Sequence, residues 1–145
     1  MKILFLGDIV GRSGCNVIKN NLSKIIKENK IDFVVANGEN SADPGVGITE
    51  NITNELLSVG VDVITRGNHI WDQKEIIEYI DKEKRLLRPF NLTGDSPGKG
   101  FGIYNSKKGF KVGVLNLMGN VFMKKCDDVF QSSIKFFKKY KLKED

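Results

Sequence analysis

The sequence predicts an α/β protein built on parallel strands with flanking helices, plus a β-hairpin. Three observations point there. Largely apolar runs at residues 2–7, 31–36 and 61–65 alternate with stretches whose apolar residues recur at helical spacing. Each run is followed by polar residues: Asp8, then Glu39-Asn40, then Asn68-His69. Further on, residues 102–105 and 110–117 flank Ser106-Lys107-Lys108-Gly109, the pattern of an antiparallel hairpin.

The elements follow in order. Residues 2–7 read as a first strand buried on both faces. A Gly-rich turn over residues 7–14 comes next. Ile18, Leu22, Ile25 and Ile26 then mark a helix to about Asn29. Residues 31–36 form a second buried strand, and strand–helix–strand implies a right-handed parallel unit. Residues 37–49, rich in Gly, Asn and Asp, read as a loop of functional length. Ile52, Leu56 and Val59 mark a short helix that stops at Gly60, and residues 61–65 are the third strand. Asp72 with Glu75 three positions on resembles a capping box, and Ile76, Ile77 and Ile80 form that helix's buried face. Leu86-Leu87-Arg88-Pro89 is a short segment ended by proline, and residues 91–100 are rich in turn formers. A last helix over 127–140 places Phe130, Ile134 and Phe137 on one face.

Composition bounds the function. The 145 residues, 40% hydrophobic and 28% charged, suit one globular domain over 1–145 with a real core. No stretch reaches the about 20 apolar residues of a membrane span. The first apolar run is too short for a signal-peptide core, so a cytoplasmic protein is expected. Cys15 and Cys126 fit no metal or redox spacing and read as incidental thiols. The net charge is +5, and residues 124–145 carry seven lysines against four acids, so that segment supplies three of the five units. A solvated helix face explains those lysines, with polyanion binding as the other reading.

The strand-end residues carry the chemistry. If the three strands are parallel neighbours, their carboxyl ends lie within about 10 Å of one another. Two carboxylates (Asp8, Glu39), two carboxamides (Asn40, Asn68) and the imidazole of His69 then converge. Such a set suits hard divalent ions and phosphate-ester chemistry. Each residue also has a plainer role. Asp8 can cap a helix, Glu39 can be a loop charge, Asn40 and Asn68 can be turn residues, and His69 can be structural. Their coincidence at consecutive strand ends favours the site. The Gly-rich turn lacks the P-loop Gly-Lys-Ser/Thr and does not match Gly-x-Gly-x-x-Gly, so it is a poor nucleotide fingerprint.

Six ordered motifs carry a resemblance. They are Gly7-Asp8-Ile9-Val10-Gly11, Asn37-Gly38-Glu39-Asn40-Ser41-Ala42, Gly47-Ile48-Thr49, Gly67-Asn68-His69-Ile70-Trp71-Asp72, Arg88-Pro89 and Asn116-Leu117-Met118-Gly119. Together they resemble the YmdB-like branch of the calcineurin-like metallophosphoesterases. The resemblance implies the N-terminal half of a metallophosphoesterase-type α/β-β/α sandwich. It implies a phosphodiesterase acting on 2′,3′-cyclic nucleotides or RNA ends, with two metal ions, iron or manganese. By the same resemblance Asp8, Glu39, Asn40 and Asn68 are metal ligands, Glu39 bridging, and His69 is the proton donor.

Two departures accompany it. Asn120 stands where the family usually has arginine. The family's second half supplies three further histidines, and the sequence ends at Asp145 before them. A C-terminally truncated domain is therefore expected, with weaker ion binding, an unpaired strand edge and an uncovered apolar layer. Residues 141–145 read as the approach to a further strand. The expected partners are the phosphodiester and either a second copy of the chain or a complementing C-terminal half. A non-catalytic remnant that binds metal, nucleotide or protein is the alternative. An RNA-binding accessory built on the lysines is a weaker one, since no aromatic-rich basic sheet motif supports it.

Overall fold

The computed structural model describes residues 1–123 and 126–140. Lys124, Lys125 and residues 141–145, including the expected approach to a further strand and part of the lysine-rich segment, lie outside the described residues. Strand β1 (Ile3–Val10) leads directly into helix α1 (Gly11–Asn29), followed by β2 (Phe33–Asn40), α2 (Glu50–Ser58) and β3 (Val63–Thr65). Next come the short helix α3 (Ile76–Tyr79) and β4 (Leu86–Leu87), then β5 (Phe101–Asn105), β6 (Lys111–Leu115) and α4 (Val129–Lys139). The first four strands form one parallel sheet in the order β1-β2-β3-β4. Strands β5 and β6 form the expected antiparallel hairpin.

Alternation along the strands splits the interior in two. Val34, Ala36, Ile64 and Leu86 face α1 and α2, where they pack with Cys15, Leu22, Ile52 and Leu56. Phe33, Val35, Val63 and Leu87 face the opposite way and pack against Val112, Tyr104 and Val114 of the hairpin. Helix α4 lies on the hairpin's other side, with the Phe136 ring 4.6 Å from that of Phe101 and 5.5 Å from that of Phe90. The order of layers is thus helix, sheet, hairpin, helix. Asp32, 4% exposed, joins two of them: it accepts from the Lys2 amide at 2.7 Å and pairs with Lys108 of the hairpin turn at 3.2 Å.

Four expectations need correction. β1 is not buried on both faces. Leu4 and Leu6 pack on the helix side, but Ile3 and Phe5 are 50% and 62% exposed. They share a face with their partners Phe33 and Val35, yet the hairpin reaches only over β2, β3 and β4. The Gly-rich turn does not exist: β1 runs to Val10 and α1 begins at Gly11, whose φ of +59° makes the corner that strand-to-helix passage requires. The capping box at Asp72 is absent too. The third helix spans only Ile76–Tyr79, and Glu75 at its start accepts from the Glu50 amide at 3.0 Å instead of capping. Finally, Ile77 does not share the buried face of Ile76 and Ile80 but is 41% exposed; on α4, Phe130, Ile134 and Phe137 do share one face, an exposed one, and Ser132 and Phe136 are the buried residues. The helical spacing was legible, but Phe136 has the aromatic partners.

Buried and open apolar side chains should respond differently. Leu56→Ala, in the helix-side core, is expected to cost about 2–5 kcal/mol in urea unfolding. Phe5→Thr and Phe137→Thr, on open faces, should cost under about 1 kcal/mol and reduce both dye binding and self-association. A cooperative monomeric melt above about 60 °C in the unmodified chain would count against a self-associating apolar layer.

Candidate metal and phosphate site

Register brings the polar strand ends together. Asp8 lies opposite Asn37, and Asn37 lies opposite Thr65. Two residues further along β2 stands Glu39, and two residues beyond Thr65 stands Gly67. These positions touch: a side chain at Gly67 would run into the Glu39 carboxylate. A larger residue there would have to push the Glu39 carboxylate aside. Glycine lets Glu39 Oε1 accept from the His69 amide at 3.3 Å. Asn40 reaches the other way, its Nδ2 donating to Asp8 Oδ2 at 2.8 Å. The five residues therefore form two joined groups, Asp8 with Asn40 and Glu39 with the Gly67–His69 backbone, linked by the Glu39–Asn40 peptide.

A helix-capping role for Asp8 and a positive-φ role for Asn40 and Asn68 are excluded, whereas Asn68 and His69 do stand in a turn. Val10 is the N-cap of α1, without a side-chain cap bond, so Asp8 does not cap it. Lys30 and Phe122 are the non-glycine residues with positive φ among those described, so neither Asn40 nor Asn68 is a left-handed turn residue. His69 is not a core histidine, because its side chain is 38% exposed. Its Nδ1 lies 2.6 Å from Asp72 Oδ2. With Nδ1 donating to that carboxylate, Nε2 is left without a hydrogen-bond partner among the described residues.

Three residues escaped the sequence reading. Asp72 holds the imidazole, and the signal was its position three residues after the only histidine. Arg66, 1% exposed, lies behind the turn and donates from Nη2 to the His69 carbonyl at 3.0 Å. Its Nε and Nη1 have no partner, and no carboxylate forms a direct ion pair with it among the described residues. Burial draws its pKa down to about 9, opposed by the charges of Glu39 and Asp72. Nothing in its spacing marked it as buried. Asn116 donates from Nδ2 to the carbonyls of Arg66 at 2.6 Å and Leu87 at 3.2 Å, tying the second layer to the end of β3. Asn120, at the expected arginine position, is turned to Cys126: it accepts from Sγ at 3.2 Å and donates to the backbone carbonyl at 3.1 Å. Both cysteines are buried free thiols whose pKa values burial pushes up.

Among the described residues, no three His, Cys, Asp or Glu side chains gather closely enough to hold an ion by themselves. The donors at the strand ends are two carboxylates and two carboxamides, with the carbonyl oxygen of Asn40 and the side chain of Asn68 still without hydrogen-bond partners among the described residues. This oxygen set fits a hard divalent ion that keeps several waters.

The parallel sheet between helices and hairpin, with its polar cluster at the strands' carboxyl ends, defines the α/β half of a metallophosphoesterase-type sandwich. The family model for YmdB-like proteins matches residues 4–145, and the chain belongs to that family. It is 43% identical over 130 residues to a 2′,3′-cyclic-nucleotide 2′-phosphodiesterase of Bacillus subtilis, covering 90% of this chain and 48% of that protein. A crystal structure of a protein from Thermus thermophilus superposes with a TM-score of 0.87 at 32% identity, over 97% of this chain and 54% of that one. A crystal structure described as a novel phosphatase from Mycoplasma pneumoniae gives 0.86 at 32% identity, over 96% and 51%. The chain spans about half the length of the relatives it matches. No helix among the described residues is long and apolar enough to cross a membrane.

The buried guanidinium and the Glu39 carboxylate should be coupled. Glu39→Gln leaves Arg66 less compensated and is expected to cost about 1–3 kcal/mol in urea unfolding. Arg66→Met should be neutral or stabilising, and the double variant should recover most of the Glu39→Gln loss. Equal losses in both single variants would instead mean that Arg66 acts mainly through its bond to the His69 carbonyl.

Proposed function

We propose that this chain carries part of the site of a metal-dependent phosphodiesterase acting on 2′,3′-cyclic nucleotides. The observation that supports the reading is the pairing of Asp8 with Asn40 and of Glu39 with the His69 amide at adjacent strand ends, beside Asn68 and a His69 imidazole held by Asp72. The Bacillus subtilis relative, by its name, supports the substrate class. Asp8, Glu39, Asn40 and Asn68 would hold the ions. A bound divalent ion there supplies Lewis acidity, polarising a phosphoryl oxygen and acidifying water. An oxygen-only donor set favours manganese over iron for this chain's own residues.

The protein's share of the chemistry is positional. Glu39 holds the Gly67–His69 backbone through the His69 amide, and Arg66 holds it through the His69 carbonyl. Asp72 fixes the ring so that Nε2 can donate a proton to the departing ribose oxygen. A second reading keeps the binding and drops the turnover: these loops hold a metal ion or a nucleotide without hydrolysing it. The sparse set of charged ligands among the described residues favours it.

The two readings separate in one assay. Hydrolysis of 2′,3′-cyclic AMP with added manganese should fall about 100-fold or more in His69→Ala. Asp72→Asn should fall as well, since the ring loses its charged partner. Equal background rates in the unmodified chain and His69→Ala would reject independent catalysis. Metal analysis of the purified chain is expected to find weakly held ions lost on dialysis, and two tightly held ions per chain would contradict the water-rich site.

A further inference from the structure

A cavity of about 150 Å³ opens beside the strand-end cluster. One side is formed by Asn68 and Trp71 of the turn after β3, the other by Thr93 and Ser96 of the loop after β4, and Leu92 and Met118 add apolar surface. We propose that this cavity seats the base of a nucleotide whose phosphate lies at the strand ends. The proposal rests on the phosphodiesterase reading and deepens it by assigning the residues that hold the base and so favour a nucleotide over a base-free sugar phosphate.

Four features converge. A cavity of about 150 Å³ is large enough for one aromatic ring, as benzene binding in an engineered cavity of that size shows. Its lining mixes apolar and aromatic surface with a few polar groups, the composition of small-molecule sites. The hydroxyls of Thr93 and Ser96 have no hydrogen-bond partner among the described residues, which leaves them free for the heteroatoms on a base edge. A hydrocarbon ligand would leave them unpaired. Asn68 lines the cavity and stands next to His69 in the chain, so the occupant lies beside the group proposed to donate the proton. A pyrimidine ring fits whole, and a purine can enter by its six-membered ring because the cavity opens to solvent.

Trp71 is the only tryptophan, so its emission reports this cavity alone. Titration with uridine and with adenosine, without metal, should quench it saturably, whereas ribose should not. Thr93→Val with Ser96→Ala should weaken nucleoside binding about tenfold, the loss of two ordinary hydrogen bonds. Leu92→Phe, which fills the cavity, should abolish quenching while far-ultraviolet circular dichroism stays unchanged. Absence of nucleoside quenching, or equal quenching by ribose, overturns the proposal. Nucleoside binding without hydrolysis of the cyclic phosphate supports it and sinks the phosphodiesterase reading instead. Equal hydrolysis of 2′,3′-cyclic uridine monophosphate and of methyl riboside 2,3-cyclic phosphate overturns it and leaves that reading standing.

Discussion

The close approach of Gly67 to the Glu39 carboxylate is the constraint around which the polar end of the sheet is arranged. It requires β2 and β3 to be parallel and in the register that sets Asn37 opposite Thr65. The missing side chain at 67 leaves room for that carboxylate. The close approach also sets a carboxylate against a backbone amide instead of water, and that fixes where His69 begins. Arg66 faces the same carboxylate from the interior. A buried guanidinium with two unpaired nitrogens is costly unless negative charge is near, and Glu39 and Asp72 are the charges that offset it. The residues proposed for chemistry therefore also neutralise the turn that carries them.

The second layer supports this arrangement from behind. The hairpin covers β2, β3 and β4 through Val112, Tyr104 and Val114. Asn116, just past β6, reaches the carbonyls of Arg66 and Leu87. Asn91, 2% exposed, clamps the following segment by donating to the carbonyls of Met118 and Asp127 at 2.7 Å each and accepting from the Met118 amide at 2.9 Å. Met118 is thereby held at the wall of the cavity beside Asn68. Packing, hairpin register and the candidate base seat are thus one connected construction. Its open side is the hairpin-facing surface of β1, where Ile3 and Phe5 meet no second layer.

Much of the fold was legible because strand and helix periods are local. The apolar runs near β1, β2 and β3, the helical spacing of α1 and α2, and the hairpin around Ser106-Lys107-Lys108-Gly109 all lie where the pattern put them. The misreadings share one cause. Asp72-x-x-Glu75 has the spelling of a capping box, but the nearest partner for Asp72 is the His69 ring. An apolar run reads as a twice-buried strand, but β1 sits at an edge that the hairpin does not reach.

By itself the sequence determined which kinds of element form and which chemical groups stand at their ends: Asp8, Glu39, Asn40, Asn68 and His69 at the ends of consecutive strands. Alternation, helical spacing and residue type are properties of neighbours along the chain, so they survive without coordinates. Only the tertiary structure decided how those groups pair. Asp8 goes with Asn40, Glu39 with the His69 amide, and His69 with Asp72. It also decided that Arg66 is buried and which apolar faces remain open. Pairing across strands depends on register, and burial depends on what lies in the next layer, and neither quantity is written in the spacing of residues along one strand.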